Sequence, residues 1–368
     1  MNIGFVLIPY QQYSGVGEYS RNLFQHLVEI DKKNNYIIFL PTDAGEDAFA
    51  FFGRERCVIT KIHSSPSILR YPQTILFDDT IEKHRPRIDV LHCFSFPIPR
   101  FTGKVMLTVH DFKENDLPEL FNPLKNGLRM SIVSRSLRRA DHIISVSDFT
   151  INRLVYHYPF CDGKVSRVYH GFSNKSLCDG ITPSRPHQRP YIMTVGHIVP
   201  HKNHKNLILA FNKLLDRHDF EHDLVIIGKN YSSPQFFDSI RSLCTKPERV
   251  IFTGAIDDYQ LQAYYKHTDL FVFPSLYEGF GIPLLEVSFH RVPFVVSNIE
   301  VFLELLDFPD AQFNPHDPDG MAAIIYKHLT NPSLRHETLV WAEKRFHDFT
   351  WTNTAMETLK MYKELLRS

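Results

Sequence analysis

Short apolar runs rich in Val, Ile and Phe recur along the chain, and between them lie longer stretches whose apolar positions keep helical spacing. IGFVLI (Ile3–Ile8) predicts a buried strand, and GVG at Gly15–Gly17 opens a helix with Leu23, Leu27 and Ile30 on one face. YIIFL (Tyr36–Leu40) supplies the next strand. Residues 51–86 are mixed in character and predict only a strand near Cys57–Ile62 and a helix near Gln73–His84. IDVLHCF (Ile88–Phe94) and VMLTVHD (Val105–Asp111) are consecutive buried strands, carrying His92 and His110 toward their ends. A basic helix over Pro123–Asp141 follows, then HIISVSD (His142–Asp148), a strand with Ser147 or Asp148 placed to cap a helix, and then VSRVYHGFS (Val165–Ser173).

The second half repeats the rhythm more regularly. Strands read at Tyr191–Gly196, Asp223–Gly228, Val250–Gly254, Leu270–Phe273 and Pro293–Ser297. Helices fill the gaps at Lys205–Arg217, Pro234–Leu243, Asp257–His267 and Pro283–His290. Strand and helix in strict alternation imply α/β domains on parallel sheets, doubly wound, which bind ligands beyond the carboxyl ends of their strands. At 368 residues the chain exceeds one comfortable core, so two domains are expected, 1–173 and 190–349, joined by a polar linker over 174–189 that contains Pro183 and Pro186.

Charge narrows the partners. Lys plus Arg equals Asp plus Glu at 41 each, so no global field draws the chain to nucleic acid. The exception is local: residues 123–141 carry Lys125, Arg129, Arg135, Arg138 and Arg139 among Leu124, Leu128, Ile132, Val133 and Leu137. Such a stretch can lie on an anionic membrane surface; the plainer reading is a helix solvated on one side. No apolar run approaches the ~20 residues of a membrane span, and MNIGFVLIPY has neither the basic start nor the cleavage site of a secretory signal, so a cytoplasmic chain is expected, with any membrane contact peripheral. Cys57, Cys93, Cys161, Cys178 and Cys244 are scattered, which points to free thiols rather than a disulfide framework or zinc site.

The chemistry concentrates in FPSLYEGFGIPLLEVSFHRVPFVVSN, Phe273 to Asn298. A strand, a turn with Gly279 and Gly281, and a helix start follow in that order, an arrangement that turns backbone N–H groups and the positive end of a helix toward a crevice and suits phosphate. Glu278 lies in the turn and Glu286 about one helical turn inside the helix, so both can face that crevice at different depths.

The spacing of Glu278 and Glu286 within PSLYEGFGIPLLE resembles the signature of the family 4 retaining glycosyltransferases. The resemblance covers nearly the whole chain. It implies the GT-B fold, in which two Rossmann-like domains face a cleft, the first on the acceptor side and the second binding the donor, with the last helix (here 350–368) crossing back to the first domain. It also implies a nucleotide-diphosphate sugar as donor and a glycan or lipid-linked glycan as acceptor. Matched position by position, Glu278 approaches the hydroxyls of the transferred sugar and Glu286 holds the ribose, while the backbone of Gly279, Phe280, Gly281 and Ile282 meets sugar and phosphate. His110 with Asp111 resembles the family's HD pair, whose His reaches the donor sugar. Gly15 and Gly17 match its N-terminal glycine loop, and Gly254, Ala255 and Ile256 its nucleobase turn. Lys202, in GHIVPHKNHKNL, falls on the lysine that grips the diphosphate; its expected part is to stabilise the departing phosphate. His197 stands where relatives carry an arginine, and an imidazole serves phosphate only when protonated.

The pattern around Lys202 and Glu278 most resembles bacterial mannosyltransferases of surface-polysaccharide assembly, which favours GDP-mannose over a UDP-sugar. No cofactor or metal is expected: Asp78–Asp79 and Asp257–Asp258 are explained as helix starts and not as a metal-binding pair. Two other classes compete. A dinucleotide oxidoreductase would need a third glycine where Ser20 stands. A non-catalytic sugar-nucleotide scaffold is suggested only by His197 and opposed by Glu278, Glu286, Lys202 and His110 together.

Overall fold

The computed structural model describes residues 1–7, 15–62, 80–84, 87–172 and 184–367. The expected glycine loop is therefore described from Gly15 onward, the helix near Gln73–His84 only from Thr80 to His84, and the linker only from residue 184. Two compact units are present, Met1–Gly171 with Phe349–Ser368, and Phe172–Asp348.

The first unit is built on a parallel sheet of β1 (Asn2–Val6), β2 (Asn35–Pro41), β3 (Cys57–Ile62), β4 (Val90–Cys93), β5 (Lys104–Val109), β6 (His142–Ser145) and β7 (Val165–Arg167), in the order β3-β2-β1-β4-β5-β6-β7. The second is built on β8 (Tyr191–Val195), β9 (Asp223–Ile227), β10 (Val250–Gly254), β11 (Leu270–Phe273), β12 (Phe294–Ser297) and β13 (Gln312–Phe313), in the order β10-β9-β8-β11-β12-β13. Each order runs outward in both directions from a central pair, β1–β4 and β8–β11, and the loops beyond those pairs are the switch points where such sheets bind ligands. Strands β4, β11 and β12 are buried along their whole length, because helices cover both faces of a parallel sheet; hence their near-continuous apolar sequence.

The caps expected at Ser147 and Asp257 are in place, and Asp78–Asp79 lies outside the described residues. Ser147 accepts from the Thr150 amide, and Asp257 forms a reciprocal capping box with Gln260, so Asp257–Asp258 is a helix start. The helix Trp351–Leu365 packs in the core of the first unit beside the helix Gly15–Ile30, with Trp351, Ala355, Tyr362 and Leu365 buried. Its first turn lies so close to Gly171 that a Cβ there would come 2.1 Å from the Trp351 nitrogen. His92 is fully buried between β4's neighbours: Nδ1 meets the Tyr362 hydroxyl at 2.6 Å and Nε2 the Thr108 hydroxyl at 2.7 Å. Both ring nitrogens are satisfied, so His92 holds the terminal helix to the sheet and does not serve substrate.

Candidate functional site

In the second unit, the loops that follow β8 and β11 are joined to each other. Asn203, in the left-handed conformation, donates its side-chain amide to the carbonyls of Pro274 (3.0 Å) and Pro315 (2.8 Å), and the Leu276 amide donates to the His201 carbonyl (2.8 Å). Between these ties, Lys202 and Glu278 are brought together: Nζ lies 2.5 Å from Oε1, with side-chain exposures of 19% and 13%. The same carboxylate oxygen accepts from the Ser275 hydroxyl at 2.7 Å, and the Ser275 carbonyl in turn accepts from the Ser297 hydroxyl at 2.6 Å. Both serines are fully buried. Among the described residues the carboxylate is thus held by the Lys202 ammonium and by the Ser275 hydroxyl, and Ser275 is tied to Ser297 of β12.

Just past Glu278 the chain turns through Gly279, Phe280 and Gly281 into the helix Ile282–Phe289. Gly281 has φ +116°, and a Cβ on it would come 2.7 Å from the Phe302 ring, so the turn requires glycine on both counts. The N-cap residue, Gly281, has no side chain to cap this helix, an arrangement that suits an anion at its first turn. Glu286 lies one turn in, and its Oε2 accepts from the Tyr265 hydroxyl at 2.6 Å. Tyr265 is 2% exposed and stacks on His290, ring centroids 5.1 Å apart.

His197 follows β8 as an exposed residue whose ring meets the edge of Tyr231 at 4.6 Å. Partial desolvation of the ring, then the charges of Lys202 and Lys229, hold its pKa below the usual histidine value. Gly254 ends β10 with φ +72°, and its carbonyl accepts from the Gly228 amide, which sets Gly254, Ala255 and Ile256 at the carboxyl edge of the same sheet.

The first unit holds the remaining residues. His110 follows β5, with its Nε2 buried and without a hydrogen-bond partner among the described residues. Tyr19 meets it edge-on at 4.9 Å and meets His170 and Trp351 at 4.9 and 5.5 Å. Burial pushes the His110 pKa down to about 4, Asp111 acting to raise it and Lys113 to lower it, so the ring is neutral near pH 7. Asp111 pairs instead with Lys113 at 3.0 Å. Gly17 is buried and Gly15 exposed, together opening the helix that carries Tyr19.

Sequence reasoning missed Ser275, Ser297, Asn203 and Tyr265, which position the carboxylates, and the ring cluster around His110. Ser275 and Tyr265 flank the strand that precedes Glu278, yet nothing in the local pattern marks a serine or tyrosine as a support.

Residues 182–344 match the family described as glycosyl transferases group 1, and residues 13–174 match glycosyltransferase family 4. A serotype-specific mannosyltransferase of Escherichia coli is 33% identical over 182 residues, 48% of this chain; the match spans 22% of that longer protein. The O-antigen chain mannosyltransferase B of Escherichia coli is 25% identical over 284 residues, covering 75% of this chain and 74% of its own length. Among solved structures, a glycosyltransferase from Rickettsia africae superposes with a TM-score of 0.73 at 18% identity, covering 100% of this chain and 99% of that one. With a family 4 match across the first sheet, a group 1 match across the second, and the two doubly wound sheets themselves, the chain belongs to the glycosyltransferases of family 4 with the GT-B fold.

Proposed function

We propose that the chain is a retaining hexosyltransferase that moves mannose from GDP-mannose to a glycan or lipid-linked glycan. The observation that carries this reading is the pairing of Lys202 with Glu278 beside an uncapped helix N-terminus and Glu286, all at one switch point of the second sheet. Cation and helix start suit a diphosphate; the carboxylates suit sugar and ribose hydroxyls, which donate to them. The preference for mannose is supported by the names of the Escherichia coli relatives.

In the proposed step the bond from the sugar's anomeric carbon to the β-phosphate oxygen breaks, and a bond to the acceptor oxygen forms on the same face. The departing phosphate takes the acceptor's proton. Lys202 and the turn amides stabilise the developing negative charge, and Glu278 orients the sugar. With Lys202 supplying the positive charge, we propose that no metal is needed. Incubation with GDP-mannose and a lipid-linked glycan, product followed by NMR, tests the reading: an α-configured mannoside is expected, with turnover unchanged in excess chelator. An inverted anomer or strict dependence on added Mn²⁺ or Mg²⁺ would contradict it, and transfer from a UDP-sugar alone would reassign the donor.

An anionic membrane surface is proposed as the place of work. No helix among the described residues is long and apolar enough to cross a membrane. The helix Pro123–Arg139, however, contains no acidic residue and presents Leu124 (87% exposed) and Leu128 (53%) beside exposed Lys125 and Arg135, with Leu120 (38%) just before it. Arg138 lies over Phe160, and Arg139 is tied to the Phe101 and Gly103 carbonyls, so these two belong to the fold. Flotation with phosphatidylglycerol vesicles, but not phosphatidylcholine vesicles, is expected, and is expected to be lost in Leu124→Glu/Leu128→Glu. Equal recovery with both lipids, or with neither, would remove the membrane from the proposal.

A further inference from the structure

We infer that the Lys202–Glu278 pair makes the site discriminate between an intact nucleotide-diphosphate sugar and the nucleoside diphosphate that remains after transfer. This rests on the reading above that the site takes such a donor. Lys202 is already matched to a counter-ion: its ammonium lies 2.5 Å from Glu278, and both side chains are largely buried. The carboxylate cannot simply swing away, because its oxygen also accepts from Ser275, which is fully buried and fastened through its own carbonyl to Ser297. The adjacent Asn203 ties the loop of Lys202 to Pro274 and Pro315, so the lysine stays beside Glu278 and only its flexible side chain can turn.

A diphosphate that reaches Lys202 must therefore share the ammonium with a carboxylate that stays close by. Like charges this near in a partly buried site repel strongly. An intact donor brings its own compensation, because sugar hydroxyls donate hydrogen bonds to the carboxylate and replace what it loses when Lys202 turns toward phosphate. The free nucleoside diphosphate brings none. Glu278 then does more than orient the sugar: it weakens the hold on the product once the sugar has left, and favours exchange for fresh donor. Selectivity of this kind comes from a built-in repulsive element as much as from attraction.

Calorimetric titration of GDP, UDP and their sugars against wild type, Glu278→Gln, Lys202→Met and the double variant tests this. The near-isosteric Glu278→Gln removes the charge and is expected to bind the nucleoside diphosphate about tenfold more tightly than wild type, or ~1.4 kcal/mol, without binding the nucleotide sugar more tightly. That gain should vanish when Lys202→Met is added, which assigns it to the pair. Glu278→Ala gives the same reading should Glu278→Gln not fold. Unchanged or weaker nucleoside diphosphate binding in a variant whose unfolding midpoint matches wild type would overturn the inference, as would an equal gain without Lys202. Wild type that binds neither diphosphates nor their sugars would instead remove the donor reading, and this inference with it.

Discussion

The carboxyl ends of the two sheets gather different groups: an ion pair and a second carboxylate in one, and neutral rings beside the Asp111–Lys113 pair in the other. Beyond β8 and β11 the second unit sets an ammonium against a carboxylate, adds a further carboxylate at Glu286, and aims an uncapped helix start at the same place. Beyond β5 the first unit surrounds His110 with the rings of Tyr19 and His170, and Trp351 packs on those two rings in turn. Desolvation there keeps both histidines neutral, His170 lowered well below its ordinary value by burial and then by His110. Two sheets of similar topology thus carry loops of different chemistry. The charged end suits a diphosphate whose charge changes as the sugar leaves. The neutral end suits a sugar carbon, to which an imidazole offers a dipole without adding a second full charge.

Removing charge from the second unit should break this division most severely. Glu278→Ala is expected to lower turnover by about a thousandfold or more, with the chain still cooperatively folded because the residue lies in a loop above the sheet. Transfer assays beside circular dichroism melts check this; near-normal turnover would remove Glu278 from the chemistry.

Adding charge to buried histidines is the converse test. Burial, then His110, pushes His92 down to about 3; burial, then Lys202 and His201, pushes His204 down to about 3; and burial pushes His110 down to about 4 despite Asp111. An unfolded histidine titrates near 6.5, so between about pH 6.5 and 4 the unfolded chain binds more protons than the native one. Stability is therefore full above pH ~6.5 and falls as the pH drops below it. The unfolding midpoint should fall by roughly 5 °C or more from pH 7 to pH 5; a flat midpoint would show that these rings are not held neutral.

Smaller changes separate donor binding from chemistry within the charged end. Glu286→Ala is expected to raise donor KM about tenfold with kcat little changed, because ribose contacts exist in ground and transition states alike. Tyr265→Phe removes the 2.6 Å hydrogen bond to Glu286 and keeps the ring on His290. It should raise donor KM about threefold. A fall in kcat with KM constant in either variant would place Glu286 in the chemistry instead.

His197 gives the smallest and most diagnostic effect. Desolvation, Lys202 and Lys229 lower its pKa before donor arrives, so a phosphate role requires bound diphosphate to raise it again. Donor affinity in wild type should then weaken as pH rises from 5.5 to 8.5, whereas His197→Arg should bind with no such dependence. Identical pH profiles would exclude His197 from phosphate binding.

Much of the fold was legible because parallel strands buried on both faces leave unbroken apolar runs; Leu270–Phe273 and Asp223–Ile227 need no tertiary knowledge to be read. The helix Glu46–Phe52 was not legible: Gly45 gives it no side-chain cap, and EDAFAFF shows no clear period. Glu278, Glu286 and Lys202 stood out because a strand, glycines and a helix start give their spacing a physical meaning. Their arrangement was hidden. Lys202 and Glu278 are 76 residues apart, and only the adjacency of β8 and β11 makes them partners. Ser275, Asn203 and Tyr265 act through that same tertiary proximity, which single-sequence periodicity does not contain.

The central claim is that the loops beyond β8 and β11 hold a nucleotide-diphosphate sugar. Thermal unfolding of wild type with GDP-, UDP-, ADP- and dTDP-sugars, repeated on Lys202→Met/Glu286→Ala, tests it most directly. One nucleotide class, GDP on this account, should raise the wild-type midpoint by several degrees at a ligand concentration of about a hundred times Kd, where binding stabilises by ~2.7 kcal/mol, and should leave the double variant unmoved. A shift that survives in the double variant, or no shift with any of the four in wild type, would contradict it.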